Sequence, residues 1–250
     1  MLRKRDVLLA SLVTLFAWQA VSLLAHSVIL PGPVAVLAAL VREGPRALGR
    51  HFLASAWRVV ASTALAVGLG APAGLLLGQS QRLNRLFSPL VYIFYPIPKI
   101  VFLPIILLFL GIGDRSKIFI IWLILFFQVL VVVRDEAAGL RSELIYSVRS
   151  LGAGRLALFR YVYLPATLPA VLTALRVSVG TAVAVLFFAE SFATSAGLGY
   201  YIMVETWTRL AYAEMYAGVI AMSLLGLGLY FLVDWLERRL CPYLFLERVQ

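Results

Sequence analysis

The sequence predicts an all-α integral membrane protein with about six transmembrane helices. Of its 250 residues, 62% are hydrophobic and only 14% are charged, and the mean hydropathy is +0.96. The apolar residues fall into runs near the ~20 residues that a helix needs to cross a hydrocarbon core. Soluble domains carry roughly a quarter charged residues, so lipid is the natural solvent for this chain. No linker-like or low-complexity tract interrupts it. Residues 1–250 therefore read as one transmembrane domain, with an N-terminal helix and interfacial segment over about 1–58 and a core over 59–239.

Residues 7–25 form the first expected span, preceded by Arg3, Lys4 and Arg5. A signal peptide fits less well, because the run is long for one and Leu24-Ala25-His26 is a poor cleavage site. Leu30-Pro31-Gly32-Pro33 is a turn. The more polar stretch up to Arg58, with Arg42, Arg46, Arg50 and His51, reads as amphipathic helix at a membrane face. Residues 59–78 are the second span, in which Gly68, Gly70, Gly74 and Gly78 permit close helix packing. Residues 89–110 are the third, kinked by Pro96, Pro98 and Pro104, each of which lacks a backbone donor. Residues 117–133, 167–188 and 213–233 are the fourth, fifth and sixth, with a polar segment over 134–165.

The formal charge of +10 is spread between the apolar runs rather than clustered, which argues for oriented membrane loops and against nucleic-acid binding. With the N-terminus inside, thirteen of the 22 Lys and Arg fall in cytoplasmic segments and seven in external ones, while Lys99 and Arg176 lie within spans. This bias predicts both termini in the cytoplasm. The lone cysteine, Cys241, forms no internal disulfide. His26 and His51 have no companions at metal-ligand spacing, so neither metal nor cofactor is expected. No catalytic Ser/His/Asp set, zinc-protease motif or phosphate-binding glycine loop occurs. The chain is therefore not expected to be an enzyme, and any ATP hydrolysis must come from another subunit.

The informative stretch is SELIYSVRSLGAGRLALFRYVYLPATLP, beginning at Ser142 on the expected cytoplasmic side. Leu144, Val148 and Leu151 recur at one helical face. Gly152 falls where helices commonly end in a left-handed residue. A second short helix can run from near Gly154 to Tyr163, with Leu158, Phe159 and Val162 apolar, before Pro165. Two angled helices of this kind suit docking into a groove on a soluble partner. Periodicity alone allows equally an interfacial helix resting on headgroups.

Arg149-Ser150-Leu151-Gly152-Ala153, then Leu158-Phe159 and Leu164-Pro165-Ala166-Thr167-Leu168-Pro169, closely resembles the cytoplasmic "EAA" loop of binding-protein-dependent ABC permeases. Further motifs resemble the nitrate/sulfonate/taurine branch in the same order. They are Leu30-Pro31-Gly32-Pro33, Tyr95-Pro96-Ile97-Pro98, Phe109-Leu110-Gly111-Ile112-Gly113, Ala189-Glu190 and Ser195-Ala196-Gly197-Leu198-Gly199-Tyr200. The family's Glu-Ala-Ala falls here on Tyr146-Ser147-Val148, so its glutamate is missing. The resemblance implies the transmembrane domain of a type I importer in the inner membrane, with a coupling loop over 142–165. It implies two ABC ATPase subunits beneath, a second permease copy (a homodimer, or a similar permease), and a periplasmic or lipid-anchored solute-binding protein. It also implies a small polar, anionic solute of sulfonate, nitrate or taurine type.

Lys99 lies midway along the third span, where a lysine costs about 2.5–3.5 kcal/mol and usually faces a cavity or a partner. With Pro98 beside it, it is a candidate lining of the pathway for anions, and Glu190 at the end of the fifth span a candidate structural or gate contact. A secondary transporter or channel is the alternative, but it would need charged or polar residues strung through several spans.

Overall fold

The computed structural model describes residues 4–243, and among them the chain is helical with no strand. Arg3 and Arg248, which enter the orientation count, lie outside the described residues. The helices run α1 (Lys4–Ala25), α2 (Pro33–Glu43), α3 (Gly49–Gln79), α4 (Gln81–Phe94), α5 (Leu103–Leu110), α6 (Asp114–Ala138), α7 (Ser142–Ser150), α8 (Arg155–Leu158), α9 (Leu164–Ser191), α10 (Leu198–Tyr200) and α11 (Tyr212–Leu240).

Each expected span has a counterpart. Gly49–Gln79, Asp114–Ala138, Leu156–Ser191 and Tyr212–Leu240 are long and apolar enough to cross a membrane, and Leu9–Ala25 is a shorter apolar helix. The third span is not one kinked helix. It is a pair, Gln81–Phe94 and Lys99–Leu110, bent by 78° at a short break. The first member starts eight residues before Pro89, at Gln81, where the Ser80 hydroxyl accepts the Leu83 N–H. The polar stretch up to Arg58 is not interfacial throughout either. Residues 49–58 open the span-length helix α3, along which His51, Ser55 and Arg58 are themselves buried and hydrogen-bonded.

The chain divides into two compact units, Met1–Ser55 with Glu190–Leu224, and Ala56–Ala189 with Leu225–Gln250. In the first, Val36, Ala39 and Ala217 are buried together, with Trp18 stacked on Tyr216 at 6.2 Å. In the second, glycines let two helices approach closely. A Cβ at Gly74 would lie 2.6 Å from the Leu130 carbonyl oxygen and 2.9 Å from the Val133 Cβ. One at Gly78 would lie 2.6 Å from the Ala137 Cβ, and one at Gly70 3.0 Å from the Phe126 carbonyl oxygen. This i, i+4, i+8 stripe lets the backbones of α3 and α6 touch; Gly68, off the stripe, meets open space. Ion pairs link helices within the second unit. Arg58, 4% exposed, donates from Nε (2.8 Å) and Nη2 (2.7 Å) to Asp114 Oδ1, and Arg176 pairs with Glu237 and with Asp234.

Candidate functional site

Three local structures carry the residues the sequence singles out. The first is an elbow after α6. Helix α7 ends at Ser150, the chain reverses at Leu151-Gly152, and α8 leads through a π-helical turn (Phe159–Tyr163) into α9. Gly152 has φ +84° and donates to the Arg149 carbonyl at 2.9 Å. It is thus the left-handed stop expected from the sequence. Leu144 and Leu151 project outward, the latter 85% exposed, beside exposed Tyr146, Leu156 and Tyr161. Val148 and Ala153 are half-buried and Arg149 is exposed. Leu158 behaves differently: at 4% exposure it is a root of the elbow and has no outward face, as is Val162. Phe159 is 39% exposed, and the Pro165 carbonyl accepts the Tyr243 hydroxyl at 2.7 Å.

The second is the break between α4 and α5. In an uninterrupted helix the Phe94 carbonyl would accept the N–H of residue 98, but that residue is Pro98 and has none. The Lys99 ammonium supplies the missing donor, reaching Phe94 O at 2.9 Å, Tyr95 O at 3.0 Å and Ile97 O at 3.4 Å. It also lies 4.6 Å from the centre of the Phe127 ring. The side chain is therefore buried, whereas Pro98 is exposed. A cavity of about 340 Å³ adjoins it, bordered by Tyr95, Gln128 and Thr181. Lys99 thus borders a cavity, and its ammonium donates into the helix break.

The third is a latch that sequence reasoning missed. Three consecutive N–H groups of the loop after α9 are each taken by a fully buried side chain. Gly197 donates to His51 Nδ1 at 3.0 Å, Leu198 to Ser55 Oγ at 2.8 Å, and Gly199 to Glu190 Oε2 at 3.0 Å. Ser55 donates in turn to both Glu190 oxygens, at 2.9 and 2.7 Å. With Nδ1 accepting, the ring proton of His51 sits on Nε2, which lies 3.3 Å from the Glu205 carboxylate. Gly197 has φ +122°, and a Cβ there would fall on the Glu190 carboxylate. Burial, with Glu43, Glu214 and Glu205 nearby, pushes the neighbouring Tyr201 phenol up to about 12, so it stays neutral. Glu190 thus accepts from both Ser55 and the Gly199 N–H. The available signal was periodicity: His51, Ser55, Arg58 and Ser62 recur at i, i+4, i+7 and i+11 of α3, and all are buried.

Comparison with known proteins decides the family. Residues 66–241 match the "binding-protein-dependent transport system inner membrane component" family. The chain belongs to it. The permease is 31% identical over 241 residues to the taurine transport system permease protein TauC of Escherichia coli (strain K12), covering 94% of this chain and 87% of that one. It is 30% identical over 241 residues to the putative aliphatic sulfonates transport permease protein SsuC of Bacillus subtilis (strain 168), covering 94% and 86%. Its fold matches the inward-facing MetNI methionine ABC transporter with a TM-score of 0.64 at 21% identity, covering 77% of this chain and 95% of that one. The permease is thus a multi-pass inner-membrane subunit of an ABC importer, in the taurine/sulfonate-like branch. Importers of this class work with an ATPase and a solute-binding protein.

Proposed function

We propose that the permease, as one transmembrane domain, passes a small polar sulfonate or taurine-like solute inward from an external binding protein, with hydrolysis in two separate ATPase subunits. It pairs with a second copy of itself, since one copy offers a single elbow for two ATPases. Both of its termini are cytoplasmic. The observation that carries the coupling role is the elbow, where Leu144, Leu151 and Leu156 are exposed together with Tyr146 and Tyr161. Exposed apolar side chains on a short, glycine-hinged helix pair fit a groove on a soluble partner. Arg149, Gly152 and Ala153 shape and flank that contact, while Leu158, Phe159 and Pro165 root it. The break at Pro98 and Lys99 borders the pathway, and Glu190 fixes the loop that follows α9. The names of the relatives support the solute class. The test is co-expression with the ATPase and binding protein of a taurine-type importer. Energy-dependent uptake of labelled taurine or an alkanesulfonate, abolished by Leu151→Asp together with ATPase co-purification, is expected. Uptake that needs no ATPase would overturn the reading in favour of a secondary transporter.

A further inference from the structure

Besides an apolar cleft of about 450 Å³ that Leu90 helps to line, two clefts with polar linings flank α4. One is the cavity at the break. The other, about 550 Å³, is bordered by Asn84, Ser88, Tyr92 and Arg134. Tyr95 lines both. On a helix with 3.6 residues per turn, Asn84, Ser88, Tyr92 and Tyr95 stand at i, i+4, i+8 and i+11 and share one face. Leu86, Leu90 and Ile93 occupy the opposite face; both faces hold exposed side chains in the single chain, Tyr92 at 83%. From Asn84 to Tyr95 is about 16 Å of helix, roughly half of a 30 Å hydrocarbon core. The polar face therefore extends well past headgroup depth. Polar side chains at that depth face protein or a wet passage.

The charged groups beside the clefts are held locally, although Lys99 keeps its positive charge. Three carbonyls hold Lys99, and Arg134 pairs with Asp135 at 2.8 Å. Hydroxyl and amide groups remain. Ser88 donates to Asn84 Oδ1 at 2.6 Å, and Ser178 donates to Gln128 Oε1 at 2.8 Å, which turns the amide nitrogens of Asn84 and Gln128 toward other partners. Such a lining offers many weak contacts and no strong site, which suits passage rather than retention.

Resting on the reading of the chain as the pathway-forming subunit, we infer that the Asn84–Ser88–Tyr92–Tyr95 face, continued by Gln128 and Thr181, is the track along which this permease passes its solute between the break and the N-terminal end of α4, and that along α4 it accepts small dipolar solutes such as aminosulfonate zwitterions through hydroxyl and amide groups, with Lys99 the one charge bordering it at the break. The test uses single cysteines in the assembled transporter in inverted membrane vesicles, with buried Cys241 left in place and the unsubstituted complex as background. Cysteines at Asn84, Ser88 and Tyr92 should react with a charged, membrane-impermeant thiosulfonate about tenfold or more faster than cysteines at Leu86, Leu90 and Ile93, because thiols ionise in water and not in hydrocarbon. Equal rates on the two faces overturn the track. If the wild-type complex takes up no taurine, the proposed function fails, while the labelling pattern still decides the track. For the solute class, Ser88→Asp and Ser88→Lys should each lower taurine uptake, with ATPase co-purification unchanged. Uptake raised by Ser88→Lys and lost with Ser88→Asp overturns a neutral, dipole-accepting track in favour of anion selection.

Discussion

Gly74 and Gly68 lie six residues apart in α3, yet the same substitution should move the protein in opposite directions. Alanine is worth at most about 1 kcal/mol more than glycine in a helix interior. At Gly68 a Cβ meets nothing within 4 Å, so Gly68→Ala should be neutral or mildly stabilising. At Gly74 the new Cβ would sit 2.6 Å from the Leu130 carbonyl oxygen and 3.0 Å from the Arg134 nitrogen, both backbone atoms of α6, whereas ordinary contact begins near 3.4 Å. The two helices would have to part by about 0.8 Å along the stripe. Overpacking of this kind costs about 1–3 kcal/mol, and the backbone neighbours place Gly74→Ala toward the upper end. Net of propensity, the loss is about 1–2 kcal/mol, a factor of roughly 5–30 in the folded ratio. Membrane proteins unfold irreversibly, so the measurement is the rate at which each detergent-solubilised variant loses its monodisperse peak at one temperature. The reasoning is refuted if Gly74→Ala survives as long as Gly68→Ala.

Three further outcomes follow from named contacts. Gly152→Val should abolish co-purification with the ATPase while leaving membrane insertion intact, because a β-branched residue is strained at φ +84° although nothing crowds the site; a stable, transporting Gly152→Val complex would sink the elbow assignment. Lys99→Met should lower the thermal stability of the detergent-solubilised permease, since it strips donors from the carbonyls of Phe94, Tyr95 and Ile97 at about 1–3 kcal/mol for an unsatisfied group; unchanged stability with slowed uptake would point instead to direct solute contact. Gly197→Ala should be more damaging than Ser195→Ala by about 1–3 kcal/mol, through a strained backbone and a collision with Glu190, and limited proteolysis of the loop after α9 reads the difference.

Apolar runs are the loudest signal a membrane chain carries, and each of the six appears as a helix or a helix pair. Gly152 was legible because a stop between two amphipathic faces needs a left-handed residue, and glycine adopts it cheaply. The shape of the third span was not. Counting prolines reveals lost donors, but whether a helix bends or breaks depends on which group replaces them, and a lysine one residue after Pro98 reads as a stray charge until its reach is known. The latch was hidden for the opposite reason. His51 and Ser55 look like surface polarity when their partners lie at Glu190 and Gly197, more than 130 residues away. Leu158 shows the same limit. An apolar residue on a short amphipathic helix looks available for docking, and only packing reveals that the protein uses it itself.

The exchange at the break ties two neighbouring codons together. Pro98 creates the carbonyl vacancy that Lys99 fills, so each residue is a liability without the other. A chain that lost the proline alone would keep a charge in the bilayer with one of its three acceptors, the Phe94 carbonyl, claimed by a restored amide. One that lost the lysine alone would keep an open fracture. Reversion by single steps therefore passes through a worse protein in either direction, and a double substitution such as Pro98→Ala with Lys99→Leu should cost less than the sum of its parts. Once acquired, a bend built this way resists being straightened.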